Sequence, residues 1–215
     1  GAINPTMNMQ LGNISILPAV SVSCSALESY VKQCIEIAKE DWDTLETSWN
    51  FSQSPLLKYA SKDVLISDAI NELMAYWDNK TQILRNQEIE INAIVNDLYK
   101  ITKIPIGVET NCITLCNNKS FTHSETLDGS TDVLYQRQII KDFISYFVGC
   151  ILGRFSFSKD SVNCEVDWLP DEDNCIPIVE GDFFVDDIVD RFRQFLRVTF
   201  GDEHFQENLE FIENA

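Results

Sequence analysis

The chain has 215 residues, 45% of them hydrophobic and 11% aromatic, which is ample for the core of one large domain or two small ones rather than a disordered segment. Sixteen basic residues against 34 acidic ones give a formal net charge of -18, and a surface that negative repels the phosphate backbone, so this piece alone is expected to bind DNA poorly. With no apolar run of about 18 residues and no charged-then-apolar leader, neither a transmembrane helix nor a signal peptide is expected, and the expected compartment is the cytoplasm.

Residues 1–22, with Pro5, Gly12 and Pro18 between short apolar runs, read as one or two short strands with turns, and the start reads as truncated. A first helix is expected from Ser25, where Ser25 and Glu28 have the form of a capping box. Its apolar face is expected to carry Leu27, Val31, Cys34, Ala38 and Leu45, with Glu28, Lys32, Glu36 and Glu40 largely opposite. The loop 47–62 holds a small apolar cluster, Phe51, Leu56 and Leu57, that should tuck against the helix ends and let the next helix return as an antiparallel partner.

That next helix is the dominant feature of the sequence. From Ile70, apolar residues recur at Leu73, Trp77, Leu84, Ile91, Ile94, Leu98 and Ile101, at heptad spacing broken only by Lys80 and Gln87. No Gly or Pro interrupts residues 63–102, so a rod of about 40 residues and roughly 60 Å is predicted, stopped by Ile104-Pro105-Ile106-Gly107. Because it is about twice as long as the first helix, its far end needs another partner, for which the C-terminal half is the natural candidate.

Residues 108–130 read as polar and irregular, with a short strand at 113–115. A third helix is predicted at 131–154, with a broad apolar face from Ile139, Ile140, Phe143, Tyr146, Phe147 and Ile151 that implies burial on more than one side. An acid-rich connection at 156–182, with a strand at 175–179, leads to a fourth helix at 183–200, ended by Gly201, and a fifth at 202–214. The expected fold class is therefore mainly α: a long, coiled-coil-like helical hairpin plus a smaller helical platform with a few short strands.

Few residues suggest chemistry. Cys112 and Cys116 with His123 supply three zinc-ligand types, but without the usual tight spacing or a fourth ligand, so buried or loop thiols are the favoured reading. Asp171, Glu172 and Asp173, with Glu165 and Asp167 upstream, have the donors of a hard-cation site without the calcium-loop pattern, and a solvated loop is favoured there. Trp42, Trp49 and Trp77 are read as core rather than as base-stacking platforms. Arg191, Arg193 and Arg197 offer phosphate contact or, following Asp186, Asp187 and Asp190, simply complement a helix dipole. The seven cysteines, an odd and scattered set, suit reduced thiols. With two histidines, no Gly-rich phosphate loop and no nucleophile elbow, no catalytic, cofactor or metal residue is assigned.

Asp41-Trp42-Asp43-Thr44-Leu45-Glu46-Thr47-Ser48-Trp49-Asn50-Phe51, Asn86-Gln87-Glu88-Ile89-Glu90-Ile91-Asn92, and Phe143-Ile144-Ser145-Tyr146 on through Gly149-Cys150 to Gly153-Arg154 are among several stretches that resemble one family, the large adenine-specific DNA methyltransferases (PglX) of the BREX phage-defence system, which are related to type IIG modification enzymes. The most specific are Pro170-Asp171-Glu172-Asp173-Asn174 with Ile176-Pro177-Ile178, and Phe195-Leu196-Arg197-Val198-Thr199-Phe200-Gly201 extending to Phe205 and Asn208. Asn4-Pro5-Thr6, Gln10-Leu11-Gly12-Asn13-Ile14 and Leu17-Pro18 look like the exit from a catalytic domain.

The resemblance implies a parent enzyme that uses S-adenosylmethionine, bound by a glycine-rich loop, and an Asn-Pro-Pro-Tyr/Phe motif around a flipped adenine. Neither motif occurs in this sequence, so no cofactor is expected in the fragment itself. The implied organisation is 1–22 as the tail of the methyltransferase domain, 23–104 as a helical hairpin spacer and 105–215 as a platform leading toward target recognition. The implied partners are the rest of the parent, DNA through the parent, and other defence-system proteins, with no membrane. The competing reading is an independent acidic helical interaction module or DNA mimic; a small hydrolase built on 171–173 ranks last.

Overall fold

The computed structural model describes Gly12, Ser15 and residues 25–123, 131–157, 175–178 and 187–215. The fold is mainly α. Its helices are α1 (Ser25–Trp42), α2 (Ile66–Leu98), the single turn α3 (Lys119–Thr122), α4 (Thr131–Ile151), α5 (Ile188–Phe200) and α6 (Phe205–Glu213), with 3₁₀ turns at Pro55–Lys58 and Thr110–Cys112. No strand occurs among the described residues, so the strand expected at 113–115 is loop, as are the described residues 175–178 of the strand expected at 175–179. The strands expected within 1–22 and the acid-rich 156–182 connection lie largely outside the described residues.

The rod is real and shorter than the pattern suggests. α2 is one uninterrupted helix of 33 residues, about 50 Å long. It ends at Leu98, well before Pro105, in a Schellman turn: Ile101 N–H reaches Asn96 O at 2.8 Å, Lys100 N–H reaches Asp97 O at 3.2 Å, and Lys100 takes φ 54°. Ile101 therefore falls outside the helix. At the other end Leu65 gives no side-chain cap, and the Ile66 N–H is instead satisfied by Asn208 Oδ1 of α6 at 2.8 Å.

The heptad stripe finds two different environments. Ile66, Ala69, Ile70, Leu73, Met74 and Trp77 enter the main core, shared with Ile139, Ile140, Phe143, Tyr146 and Phe147 of α4 and with Phe195, Leu196 and Phe200 of α5. Leu84 enters a second, small core with Ile37 of α1 and Ile113 and Leu115. α1 runs antiparallel to α2, and the two polar breaks in the stripe become cross-helix contacts. Lys80 Nζ meets Glu40 Oε2 at 2.8 Å, while Gln87 accepts from Cys34 Sγ at 3.4 Å and donates to Gln33. Lys80, Tyr76 and Lys58 hold the Glu40 carboxyl below the usual carboxylate range against the opposing effect of burial. Beyond Gln87 the stripe residues Ile91, Ile94 and Leu98 are only half-buried.

The C-terminal half packs where it was not expected. α4, α5 and α6 gather around the near end of the rod, because Asn208 and the apolar faces of α4 and α5 complete the core at residues 66–77. The distal half is flanked by α1 and by the returning segment after α2, whose Ile104 O accepts from Asn96 Nδ2 at 3.3 Å and whose Val108 O accepts from Arg85 Nε at 2.7 Å. Among the described residues no helix is long and apolar enough to cross a membrane.

α4 ends at Ile151 rather than 154, in a second Schellman turn. There Gly153 takes φ 71°, and Arg154 N–H bonds Gly149 O at 2.8 Å. α5 begins at Ile188, capped by Asp187 Oδ1 accepting from Val189 N–H at 2.6 Å.

Candidate functional site

α1 turns an acid, Asp41, inward and its last residue, Trp42, outward. Asp41, 3% exposed, lies on the face toward the rod beside Ile37 and Cys34. Its Oδ2 accepts from Cys116 N–H at 2.7 Å, and its Oδ1 from Asn117 N–H at 3.0 Å and Asn117 Nδ2 at 2.8 Å. Those bonds replace the water that a buried carboxylate loses, which is what makes its burial tolerable. The network continues through Asn117: its Nδ2 donates to Thr44 Oγ1 at 2.9 Å, and its Oδ1 accepts from Tyr135 Oη of α4 at 2.9 Å. Next to it, Asn118 donates to Thr110 O and Ile113 O at 2.8 and 2.7 Å and caps α3. Lys119 then bridges Asp78 of α2 and Asp132 of α4, at 2.8 and 2.9 Å.

This junction walls a cleft of about 300 Å³ between the α1–α2 loop and α4, lined among others by Thr44, Ser54, Cys116, Asn117, His123 and Gln138. A second hollow of about 260 Å³ shares Thr44, Leu45, Ser54, Pro55 and Asp142 with it and adds Glu46. The groups here act as hydrogen-bonding and charged walls. Burial, then the Asp41 charge and a hydrogen bond to it, push the Cys116 thiol up, leaving it protonated and a weak nucleophile. Burial likewise pushes the Tyr135 phenol far up, so it serves as a donor to Asn117.

Glu46 and Asp142 are the two carboxylates of the second hollow. Glu46 Oε1 is buried without a hydrogen-bond partner, while its Oε2 lies 3.6 Å from Arg154 Nη1. Asp142 is raised above the usual carboxylate range by desolvation of its carboxyl, opposed by the Gln138 hydrogen bond and reinforced by the Glu46 charge. A folded-state value above the unfolded one means that the native chain binds this proton more tightly, so its contribution to stability declines as pH rises through that window. Asp142→Asn should therefore shift stability in the variant's favour, relative to the wild type, as pH rises from about 4 toward neutrality, as read by urea unfolding at each pH. The side chain is partly open to solvent, so screening keeps the difference modest. A difference between variant and wild type that does not grow with pH would contradict the assignment.

The sequence-flagged residues fall out as follows. Cys112 and Cys116 are exposed residues, and among the described residues no three His, Cys, Asp or Glu side chains come together to hold a metal; only Cys116 and His123 of the zinc candidate share the cleft. Asp171, Glu172 and Asp173 lie outside the described residues. Trp77 is core, but Trp42 is 52% exposed and Trp49 fully so, correcting the expectation that all three are buried. The outward turn of Trp42 follows from the inward anchoring of its neighbour Asp41. The arginines of α5 are engaged within the fold: Arg191 is buried, Arg193 pairs with Asp190 at 2.9 Å, and Arg197 pairs with Asp202 at 3.3 Å and lies 3.9 Å from the centroid of the Phe205 ring.

Sequence reasoning did not single out Asp41, Asn117 or Asp142. The adjacent pair Asn117-Asn118 was a usable signal, since asparagines favour turns that their own side chains bond.

No protein-family model matches the chain. Two curated proteins align over almost all of it. An adenine-specific methyltransferase, BrxX, of Escherichia coli O9:H4 (strain HS) is 30% identical over 227 aligned positions covering 98% of the chain. An adenine-specific methyltransferase, PglX, of Lacticaseibacillus casei (strain Zhang) is 28% identical over 99% of it. The chain is related to the BREX adenine-specific methyltransferases. It spans about a fifth of these relatives' length, 18% in each case. Of the junction, Asp41 and Thr44 fall on the 41–51 stretch that carries the resemblance, while Cys116, Asn117 and Tyr135 lie outside the stretches quoted for it.

Proposed function

We propose that this chain is the non-catalytic helical spacer of a site-specific DNA adenine-N6 methyltransferase acting in phage defence in the cytoplasm. In this reading, residues 23–104 are the strut, 105–215 the platform bracing it, and 1–22 the tail of the catalytic domain, whose S-adenosylmethionine site lies elsewhere in the parent. DNA is met through the parent, along with any other defence proteins. The single observation that carries the reading is the unbroken α2, about 50 Å long and tied to α6, α4, α3, α1 and the returning 104–108 segment.

A base-flipping enzyme needs its pocket at a fixed offset from the bases it reads, and a braced helix holds an offset that a flexible linker does not. The strongly acidic composition agrees with a scaffold better than with a reader of DNA.

The test is a one-residue insertion after Gln87 in the full-length parent, which rotates everything beyond it by about 100° about the helix axis. Site-specific methylation is expected to be lost while helical content by circular dichroism is kept. A parent that methylates its sites at the wild-type rate after the insertion rules the spacer role out.

A further inference from the structure

The face of α1 turned away from the rod carries Val31, Ile35, Ala38 and Trp42, separated by four, three and four residues and all exposed. That spacing aligns them in one stripe along the helix. Ile35 is 62% exposed, Val31 40% and Trp42 52%. The neighbouring face about 100° round the helix, with Cys34, Ile37 and Asp41, is already committed to α2 and the 113–117 segment. A contiguous apolar stripe ending in tryptophan, beside the mixed charges of Glu28, Lys32, Glu36 and Lys39, has the make-up of a helix-binding seam rather than of an ordinary solvated face.

The occupant is indicated by the chain outside this structure. The two relatives align with 98% and 99% of this chain, yet the aligned section is only 18% of each, so most of each relative's polypeptide lies beyond it. A strut fixes an offset only if it is gripped at more than its peptide links. We propose that the Val31, Ile35, Ala38 and Trp42 stripe docks an amphipathic helix from the part of the parent methyltransferase outside these 215 residues. This rests on the spacer reading and adds the surface through which the spacer is held.

Hydroxyl-radical footprinting tests it by reading tryptophan exposure directly. Trp42 oxidation is compared between the 215-residue chain alone and the full-length parent, with buried Trp77 as the reference. Trp42 is expected to react at least about fivefold more slowly in the parent, as a desolvated interface residue does. Ile35→Glu, at an exposed position that should leave the fold intact, is expected to restore Trp42 reactivity in the parent. Equal Trp42 reactivity in the two proteins overturns the proposal, as does protection that persists with Ile35→Glu. Protection in the chain alone also overturns it: if concentration-dependent, a second copy is the occupant, and if removed by deleting residues 1–22, the chain's own N-terminal stretch is. A parent that is sensitive to the Gln87 insertion but leaves Trp42 reactive retains the spacer and loses only the seam.

Discussion

Asp41→Ala should lower folding stability by about 3–5 kcal/mol, because three donors lose their acceptor at about 1–3 kcal/mol each, with part of that recovered where water reaches them. The carboxylate is 3% exposed and accepts three hydrogen bonds, two of them from the consecutive backbone N–H groups of Cys116 and Asn117. Alanine leaves those donors facing a methyl group. It also frees the Asn117 side chain that links Thr44 to Tyr135, so the loss extends to the contact between α1 and α4.

Ile113 and Leu115 sit in the second core just upstream of the released pair, and their packing on Leu84 and Ile37 should loosen with it. Urea unfolding gives the magnitude, and hydrogen exchange should place the local opening at 110–118 rather than in α4. Asn117→Ala combined with Asp41→Ala should cost clearly less than the sum of the singles, because both act through the same bonds. A single-variant cost below about 1 kcal/mol would mean that the junction is peripheral to stability.

That junction also shows where sequence reading reached its limit. The rod was legible because heptad spacing survives two polar interruptions, and those interruptions, Lys80 and Gln87, turned out to be cross-helix contacts rather than flaws. Its ends were not legible, since both are set by features with no local signature. Lys100 adopts the left-handed conformation usually left to glycine, and the cap on Ile66 comes from Asn208, 142 residues away.

The face of α1 was misjudged for a related reason. Apolar content favoured Val31 and Ala38 as inward positions, whereas the hydrogen bonds available to Asp41 fix the rotation and leave Val31, Ala38 and Trp42 outside. Ile113 and Leu115 alternate as strand residues do, but their backbone is held by the Asn118 side chain and not by a neighbouring strand. Glu46 and Asp142 could not be picked from 34 acids without knowing which of them share a hollow.

Gly201→Ala should prove about as costly as the loss of Asp41, at about 3–5 kcal/mol, by a different mechanism. Gly201 closes α5 with φ 83° and ψ -178°, a region of backbone space that is almost exclusively glycine's, and alanine there is strained whatever surrounds it. Its surroundings add a second penalty, because a Cβ would fall inside contact distance of the Lys62 backbone carbonyl, which cannot rotate away as a side chain would.

Lys62 lies just before the rod, and Asn208, which caps Ile66, follows from the same α5–α6 corner. The corner therefore presses on the rod's entry and caps it in one arrangement, so displacing it should weaken the Asn208 cap as well as the Gly201 turn. Asn208→Ala alone, with normal backbone geometry at position 201, should cost about 1–2 kcal/mol as a lost cap does. If Gly201→Ala and Asn208→Ala combine to the full sum of their separate costs in urea unfolding, the two contacts are independent. A shortfall of more than about 0.5 kcal/mol means that the corner moves as a unit and that the platform controls where the rod begins.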